Sequence, residues 1–212
     1  MYVGRIVIVG QNLGRSYVAY RVSSRSFPNR RAEILGRSIL VSPLNPDDLA
    51  KNPYIAYNCI RVLDRTAVVA NGSHSDMILE RIEDGMRPLD AISLSLVAYG
   101  YERDELDTPR IAGAVHGHRA YLGIAKKDEF RVKEFDLMDG QSFMVATYEK
   151  ANFESINIAG QSSKEIACAA FELSFERPVC AAAALSFSKE SEKEAKAEKE
   201  IKGFELAVYN PM

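Results

Sequence analysis

The sequence has no long apolar run and very little net charge. Its formal net charge is −2 over 212 residues, which is too small for the clustered basic surface of a nucleic-acid-binding protein. No apolar segment approaches the roughly 18 residues of a membrane-spanning helix. The beginning, Met1-Tyr2-Val3-Gly4-Arg5, lacks a basic stretch followed by an apolar core. We therefore expect no export signal, a cytoplasmic location, and neither nucleic acid nor membrane as a partner.

Cysteine is scarce, and several motifs of nucleotide and hydrolase chemistry are missing. Cys59, Cys168 and Cys180 form no Cys-x-x-Cys pair and have mostly apolar or small neighbours, which predicts buried reduced thiols rather than disulfides. There is no Gly-x-x-x-x-Gly-Lys-Ser/Thr loop, no strand-linked Gly-x-Gly-x-x-Gly and no Gly-x-Ser-x-Gly elbow. Nucleotide hydrolysis, hydride transfer and serine-hydrolase chemistry are thereby disfavoured.

What is present predicts one α+β domain over residues 1–212. Hydrophobic residues make up 47% and charged residues 26%, the usual mix of a globular protein. Strands are predicted at 5–10, 17–22, 38–41, 54–63, 66–70, 111–115, 120–125, 131–135, 143–148, 179–187 and 204–209. Helices are predicted after a Ser75 cap, from Pro88 to about Tyr99, and after Ser162 or Ser163. The Lys- and Glu-rich segment 189–200 is interpreted as a solvated helix or a mobile excursion. Grouped helices among many strands indicate two packed sheets with helices outside.

The densest polar feature is the run 20–31, Tyr-Arg-Val-Ser-Ser-Arg-Ser-Phe-Pro-Asn-Arg-Arg. Guanidinium groups and hydroxyls offer several hydrogen-bond donors to a compact anion, which favours phosphate binding. A solvated basic loop explains the same composition about equally well.

A second feature is the segment 100–113, which places four carboxylates before a Pro-fixed bend. A carboxylate held near apolar groups has a raised pKa and suits a general base. The alternative is a polar surface connection between a helix and a strand.

Two further groups lie at predicted strand ends. Tyr57, Asn58 and Asn71 are placed to stack on a heterocycle or to pair with its amide edge, although such residues more often finish strands and turns. His116-Gly117-His118 has a spacing compatible with a metal, but further ligands are missing from the pattern, and a turn between two strands explains it better.

The opening 1–5, the run 19–30 and the segment 107–113, Asp-Thr-Pro-Arg-Ile-Ala-Gly, resemble the archaeal-type IMP cyclohydrolases over the whole chain. The resemblance implies a four-layer αββα sandwich similar to that of N-terminal nucleophile hydrolases. Those enzymes expose an N-terminal Cys, Ser or Thr, whereas this chain begins Met1-Tyr2, so their amidohydrolase chemistry does not follow from the fold.

The resemblance also implies a reaction and residues for it. A formamido-imidazole-carboxamide ribonucleotide closes to inosine monophosphate with loss of water, and no metal or organic cofactor is required. Glu102 is implied as the acid/base carboxylate, with Glu105 as the alternative, and Arg30 as the cation for the formyl oxygen. The expected substrate-binding residues are Arg21, Ser24, Arg25, Tyr57, Asn58, Asn71 and Arg110.

A homo-oligomer is expected from the family's tendency to associate. Two rival functions stay open at this point. One is an amide hydrolase of the same fold that uses Cys59 as an unconventional nucleophile, and the other is a non-catalytic purine-nucleotide sensor.

Overall fold

The protein is described by a computed structural model over residues 1–51, 53–188 and 203–211. The strands are β1 (Arg5–Asn12), β2 (Arg15–Ser23), β3 (Arg30–Leu35), β4 (Ser38–Pro43), β5 (Tyr57–Leu63), β6 (Thr66–Ala70), β7 (Arg110–His116), β8 (Arg119–Ala125), β9 (Phe130–Asp136), β10 (Ser142–Ala146), β11 (Glu154–Ser155), β12 (Pro178–Ser186) and β13 (Phe204–Tyr209). The α-helices are α1 (Asp48–Lys51), α2 (His74–Glu83), α3 (Pro88–Tyr99) and α4 (Ser163–Phe171). A 3-10 turn spans Pro53–Ile55.

The strands form two antiparallel sheets. The six-stranded sheet has the order β11-β10-β1-β2-β12-β13, and the seven-stranded sheet has the order β3-β4-β5-β6-β7-β8-β9. The hairpin β1-β2 is central in the first sheet, where β10 pairs with β1 and β12 pairs with β2. The α+β prediction with two sheets is thus confirmed.

Strand alternation divides the apolar side chains between two faces. Val7, Val9 and Tyr20 contribute to a cluster shared with residues of the seven-stranded sheet. Ile6 and Ile8 face the other way and pack with α4. Each fully buried aliphatic side chain of this kind contributes about 1.5–3 kcal/mol to folding.

The seven-stranded sheet is covered on its outer face by α2 and α3. Ile78, Ile92 and Leu96 from these helices pack against Val68 and Ala114 of the strands. No helix among the described residues is long and apolar enough to cross a membrane.

Gly113 is required where the two sheets approach each other. A Cβ atom at this position of β7 would lie 2.9 Å from Val7 Cγ1 and 3.0 Å from Val9 Cγ1. Any larger residue would push the sheets apart, because side chains in a close-packed core have little room to move.

Several local predictions are confirmed. The hairpin 5–10 and 17–22 forms as β1 and β2, and α3 starts at Pro88 and ends before Gly100. The Ser162 side chain accepts a hydrogen bond from Glu165 N at 3.3 Å and caps α4. His116-Gly117-His118 makes the turn from β7 into β8.

Others are corrected. Ser75 is not the N-cap of α2, because this helix already begins at His74. The Ser75 hydroxyl instead donates to Asn58 O at 2.5 Å. Strand β5 begins at Tyr57, since the 3-10 turn precedes it. The edge strand β3 was not predicted, because the charges of Arg30, Arg31 and Glu33 mask its pattern. Segment 189–200 lies outside the described residues.

Candidate active site

Strand ends from both sheets meet at one end of the molecule. Antiparallel pairing brings the start of β1 beside the ends of β2 and β10. In the other sheet, the start of β5, the end of β6 and the start of β7 are neighbours in the same way. Side chains at these ends project into a common region, which is therefore built from segments far apart in sequence.

Glu102 is the carboxylate of this region. It lies in the loop between α3 and β7, and only 4% of its side chain is exposed. Its Oε2 is 3.2 Å from Arg5 Nη2, and its Oε1 is 3.5 Å from Arg110 Nη1. Its backbone N–H donates to Thr108 O at 2.8 Å, which ties the carboxylate's backbone to the end of the loop.

Burial raises the pKa of Glu102 above 4.5, although the positive charges of Arg5, Arg110 and Arg30 oppose that shift. The neighbouring Asp104 adds to the increase. A carboxylate with a raised pKa holds an abstracted proton more firmly than an exposed one, while its arginine partners keep the ionised form accessible. These properties suit a group that takes a proton and later returns it.

Two tyrosine hydroxyls lie nearby. Tyr20 from β2 and Tyr57 from β5 face each other across the sheets, with their oxygens 2.7 Å apart. Burial raises the pKa of both phenols, and the charge of Arg5 only partly offsets this. Both rings are therefore neutral hydrogen-bonding groups at ordinary pH.

Arg30 opens β3 and is 6% exposed. Its Nε donates to Phe27 O at 3.1 Å, and its charge acts on Glu102 and Tyr57. A cleft of about 260 Å³ lies beside it, lined by Ser26, Phe27, Pro28, Asn29, Arg30, Pro43, Asp48 and Ile55. The Arg- and Ser-rich run thus lines a cleft beside Arg30, whose charge acts on the buried carboxylate.

Arg110 is held by an amide clamp. Asn71, at the end of β6, donates through Nδ2 to Pro109 O at 2.9 Å and accepts from Ile111 N at 2.8 Å. The Arg110 guanidinium lies over Tyr99, 5.2 Å from the ring centroid. A Cβ on Gly72 would lie 2.7 Å from Arg110 Nη1, so glycine leaves room for the guanidinium.

Two predicted binding residues point away from this region. Arg21 alternates with Tyr20 along β2 and is fully buried on the opposite face. Its Nη1 and Nη2 donate to Leu173 O at 2.5 Å and Phe175 O at 2.6 Å, and burial lowers its pKa to about 10. Asn58 alternates with Tyr57 and donates to Asp76 Oδ1 of α2 at 2.9 Å.

Ser24 and Arg25 lie in the loop beyond β2. The Ser24 hydroxyl accepts from Phe27 N at 3.0 Å and so shapes the run itself. Arg25 is exposed, 3.2 Å from Glu176 Oε2, and its guanidinium lies 4.2 Å from the Tyr2 ring centroid.

The structure brings together Glu102, Arg30, Tyr57, Asn71 and Arg110, while Glu105 is exposed.

Sequence reasoning missed Arg5 and Tyr20. Arg5 shares its strand face with Val7 and Val9, both of which belong to the cluster between the sheets. A charge on that face is a signal for a buried polar site, because a buried cation needs a partner. Its partner Glu102 is 97 residues away, a separation that spacing alone does not reveal.

Residues 2–191 match the family model described as IMP cyclohydrolase-like protein. The chain belongs to this family. A protein named IMP cyclohydrolase from Methanothrix thermoacetophila is 58% identical over 211 residues, covering 100% of both chains. One with the same name from Methanocella arvoryzae is 49% identical over 99% of this chain and 98% of its own length. A third, from Methanocaldococcus jannaschii, is 40% identical over 87% of this chain and 94% of its own.

Proposed function

We propose that this chain is an IMP cyclohydrolase, which closes 5-formamidoimidazole-4-carboxamide ribonucleotide to inosine monophosphate with loss of water. The observation that carries the proposal is Glu102, a buried carboxylate with a raised pKa held between Arg5 and Arg110. The similar proteins that bear this name support the same activity.

The chemistry needs a base because a carboxamide nitrogen is a poor nucleophile. As this nitrogen attacks the formyl carbon, Glu102 takes its proton and the formyl oxygen becomes an alkoxide. The proton passes to that oxygen and leaves a cyclic carbinolamine. In the second step, Glu102 takes the proton of the former formamido nitrogen, which is bonded to the carbinolamine carbon. It delivers this proton to the departing hydroxyl, which leaves as water. Glu102 is ionised before and after each step.

The alkoxide needs a positive charge close by, and Arg30 is the residue we propose for it. Arg110, held by Asn71, and Tyr57 are proposed to contact the base and its carboxamide. Alignment of the two reacting arms contributes further, because well-oriented intramolecular reactions gain about 7–11 kcal/mol. The phosphate is proposed to lie in the cleft beside Arg30. Ser24 shapes the wall of this cleft through its hydrogen bond to Phe27 N, and Arg25 is proposed as a further cation for the phosphate.

We propose a single domain over residues 1–212 and a four-layer αββα sandwich similar to that of the N-terminal nucleophile hydrolases. The packing of α4 on one sheet and of α2 and α3 on the other supports this arrangement. We further propose a cytoplasmic homo-oligomer.

The amide-hydrolase alternative requires a reactive Cys59. This thiol is fully buried, and burial with the nearby Cys180 raises its pKa well above 9.0. The thiolate is the nucleophilic form of cysteine, so this environment suppresses the reactivity that the alternative needs.

The decisive experiment is to incubate the protein with the formylated ribonucleotide, without added metal or formyl donor, and to follow product formation by absorbance and mass. Wild type is expected to form inosine monophosphate. Glu102→Gln is expected to lose at least about 100-fold in kcat, since general-base catalysis contributes roughly 10²–10⁴-fold.

Glu105→Gln is the matched control, because Glu105 is exposed in the same loop. It should keep wild-type turnover. If the folded wild-type protein binds inosine monophosphate but does not form it, the protein is a nucleotide sensor and not an enzyme. Equal activity of both glutamine variants would remove Glu102 from the mechanism.

A further inference from the structure

We propose that the hydroxyls of Thr108 and Tyr148 form a positioning device that holds Glu102 against Arg5 across the boundary between the two sheets. The inference rests on the proposed function of Glu102. Thr108 belongs to the loop that carries this carboxylate, and Tyr148 follows the strand paired with the beginning of β1.

The first part of the device is the loop. Asp104 accepts from Thr108 N at 2.8 Å through Oδ1 and from the Thr108 hydroxyl at 2.7 Å through Oδ2. Thr108 O in turn accepts from Glu102 N at 2.8 Å. Thr108 is fully buried. Its hydrogen bonds to Asp104 and to Glu102 N therefore connect the conformation of the loop to the position of Glu102.

The second part is the attachment to the other sheet. Tyr148 OH lies 2.6 Å from Thr108 Oγ1. Because a carboxylate oxygen only accepts, the single hydroxyl hydrogen of Thr108 is directed to Asp104, and Tyr148 must be the donor to Thr108. This bond links the Glu102 loop to a side chain of the six-stranded sheet.

The third part fixes Tyr148 to the strand that supplies Arg5. Tyr148 N donates to Val3 O at 3.1 Å, and Thr147 N donates to Arg5 O at 3.1 Å. Gly4, with φ +71°, leaves room for the tyrosine, since a Cβ there would lie 2.8 Å from Tyr148 Cδ2. Backbone hydrogen bonds therefore anchor Tyr148 beside the strand that supplies Arg5.

The device thus sets the 3.2 Å separation of Arg5 Nη2 and Glu102 Oε2. The charged groups that act on Glu102 are Arg5 from β1, Arg110 from β7, Arg30 from β3 and Asp104 from its own loop. Of these groups, Arg5 is the one whose chain segment is hydrogen-bonded to Thr147 and Tyr148. If the link is loosened, the attraction between the Arg5 guanidinium and the Glu102 carboxylate weakens. The pKa of Glu102 then rises, and the carboxylate is protonated more easily.

Tyr148→Phe tests the proposal, because it removes one hydroxyl and keeps the ring. We expect the acidic limb of the kcat–pH profile to move to higher pH by roughly 0.7–1.0, which lowers kcat on that limb roughly five- to tenfold, the order of effect of a single hydrogen bond. KM should change less than twofold. Thr108→Val should act in the same direction, and Thr108→Ser should restore the wild-type profile.

Tyr2→Phe is the matched control, because the Tyr2 ring stacks on Tyr148 at 5.9 Å while its hydroxyl donates to the Ser23 carbonyl, at 3.4 Å. It should leave the profile unchanged. An unmoved acidic limb in Tyr148→Phe, or a loss confined to KM or to thermal stability, would overturn the proposal.

A second readout separates this proposal from the function on which it rests. Titration of the Glu102 carboxyl carbon by NMR reports its pKa without turnover. An inactive wild-type protein would overturn the cyclohydrolase, whereas equal Glu102 pKa values in wild type and Tyr148→Phe would overturn the positioning device.

Discussion

Arg21 and Arg30 come from one run of the sequence but have opposite surroundings. Arg21 fills the outer face of its sheet and holds two backbone carbonyls, whereas Arg30 borders the cleft and acts on Glu102. The Arg21 guanidinium therefore stabilises the fold, whereas the Arg30 guanidinium is the one proposed to act in the reaction.

Methionine at each position separates these roles. Arg21→Met should lower the free energy of unfolding by about 1–3 kcal/mol, because the partly buried carbonyls of Leu173 and Phe175 lose their donors. Its kcat should stay within twofold of wild type. Arg30→Met should lower kcat by roughly 10²–10³-fold, as expected for loss of an oxyanion donor.

Urea unfolding and single-turnover kinetics on both variants provide the comparison. A loss of turnover in Arg21→Met with unchanged stability would restore Arg21 as a substrate-binding residue and contradict the placement of its side chain.

At the scale of elements, the junction of β6 and β7 is where a side-chain amide replaces regular pairing. The two bonds of Asn71 fix the backbone on both sides of Arg110. Because Asn71 is 1% exposed, water does not readily replace a lost partner there.

Asn71→Ala is expected to lower the free energy of unfolding by about 2–3 kcal/mol and kcat by at least tenfold, since both buried bonds disappear and Arg110 loses its fixed position. Asn58→Ala is the control, because Asn58 bonds to Asp76 on the outer face. Chemical denaturation and steady-state kinetics measure both effects. Unchanged kcat in Asn71→Ala would show that the clamp does not position Arg110 for turnover.

The same junction illustrates what sequence can predict. Alternating apolar residues predicted most of the strands, and their register follows from burying one face of each. Asn71 was expected in the site from its position at a strand end and Arg110 from the family resemblance, but neither composition nor spacing reveals that Asn71 bridges Pro109 and Ile111. Arg5 was missed because its partner, Glu102, lies in a loop 97 residues away. Arg21 and Asn58 were predicted as binding residues, but their side chains lie on the faces opposite Tyr20 and Tyr57, because adjacent residues of a strand face opposite ways.

At the scale of the whole molecule, His74 couples folding stability to pH. It begins α2 and is fully buried, and its Nε2 donates to Ile111 O of β7 at 3.0 Å. Burial and the nearby Arg110 charge lower its pKa from 6.5 to about 3. Between these two values, the unfolded chain binds a proton that the folded chain does not. Stability from this group is complete above pH 6.5 and falls as the pH decreases toward 3.

His74→Gln removes the titrating group and keeps an amide donor. Wild type should lose about 1.4 kcal/mol of unfolding free energy for each pH unit below 6.5 relative to this variant. Contributions of Glu102, whose raised pKa acts in the opposite sense, cancel in the difference. Urea unfolding from pH 7.5 to 4.5 is the measurement, with His118→Gln as an exposed control. Parallel stability–pH curves for wild type and His74→Gln would contradict the prediction.

The central hairpin has a consequence for how the chain is made. Strands β1 and β2 leave the ribosome first, yet β10 and β12, which flank them, begin only at Ser142 and Pro178. Synthesis of the intervening residues takes roughly 6–30 seconds at about 5–20 residues per second. Throughout that interval the hairpin has apolar side chains on both faces and unpaired backbone on both edges, the features that recruit chaperones or lead to aggregation. The nascent chain is therefore most vulnerable before β10 and β12 emerge, and a message truncated upstream of them yields a product that cannot cover β1 and β2.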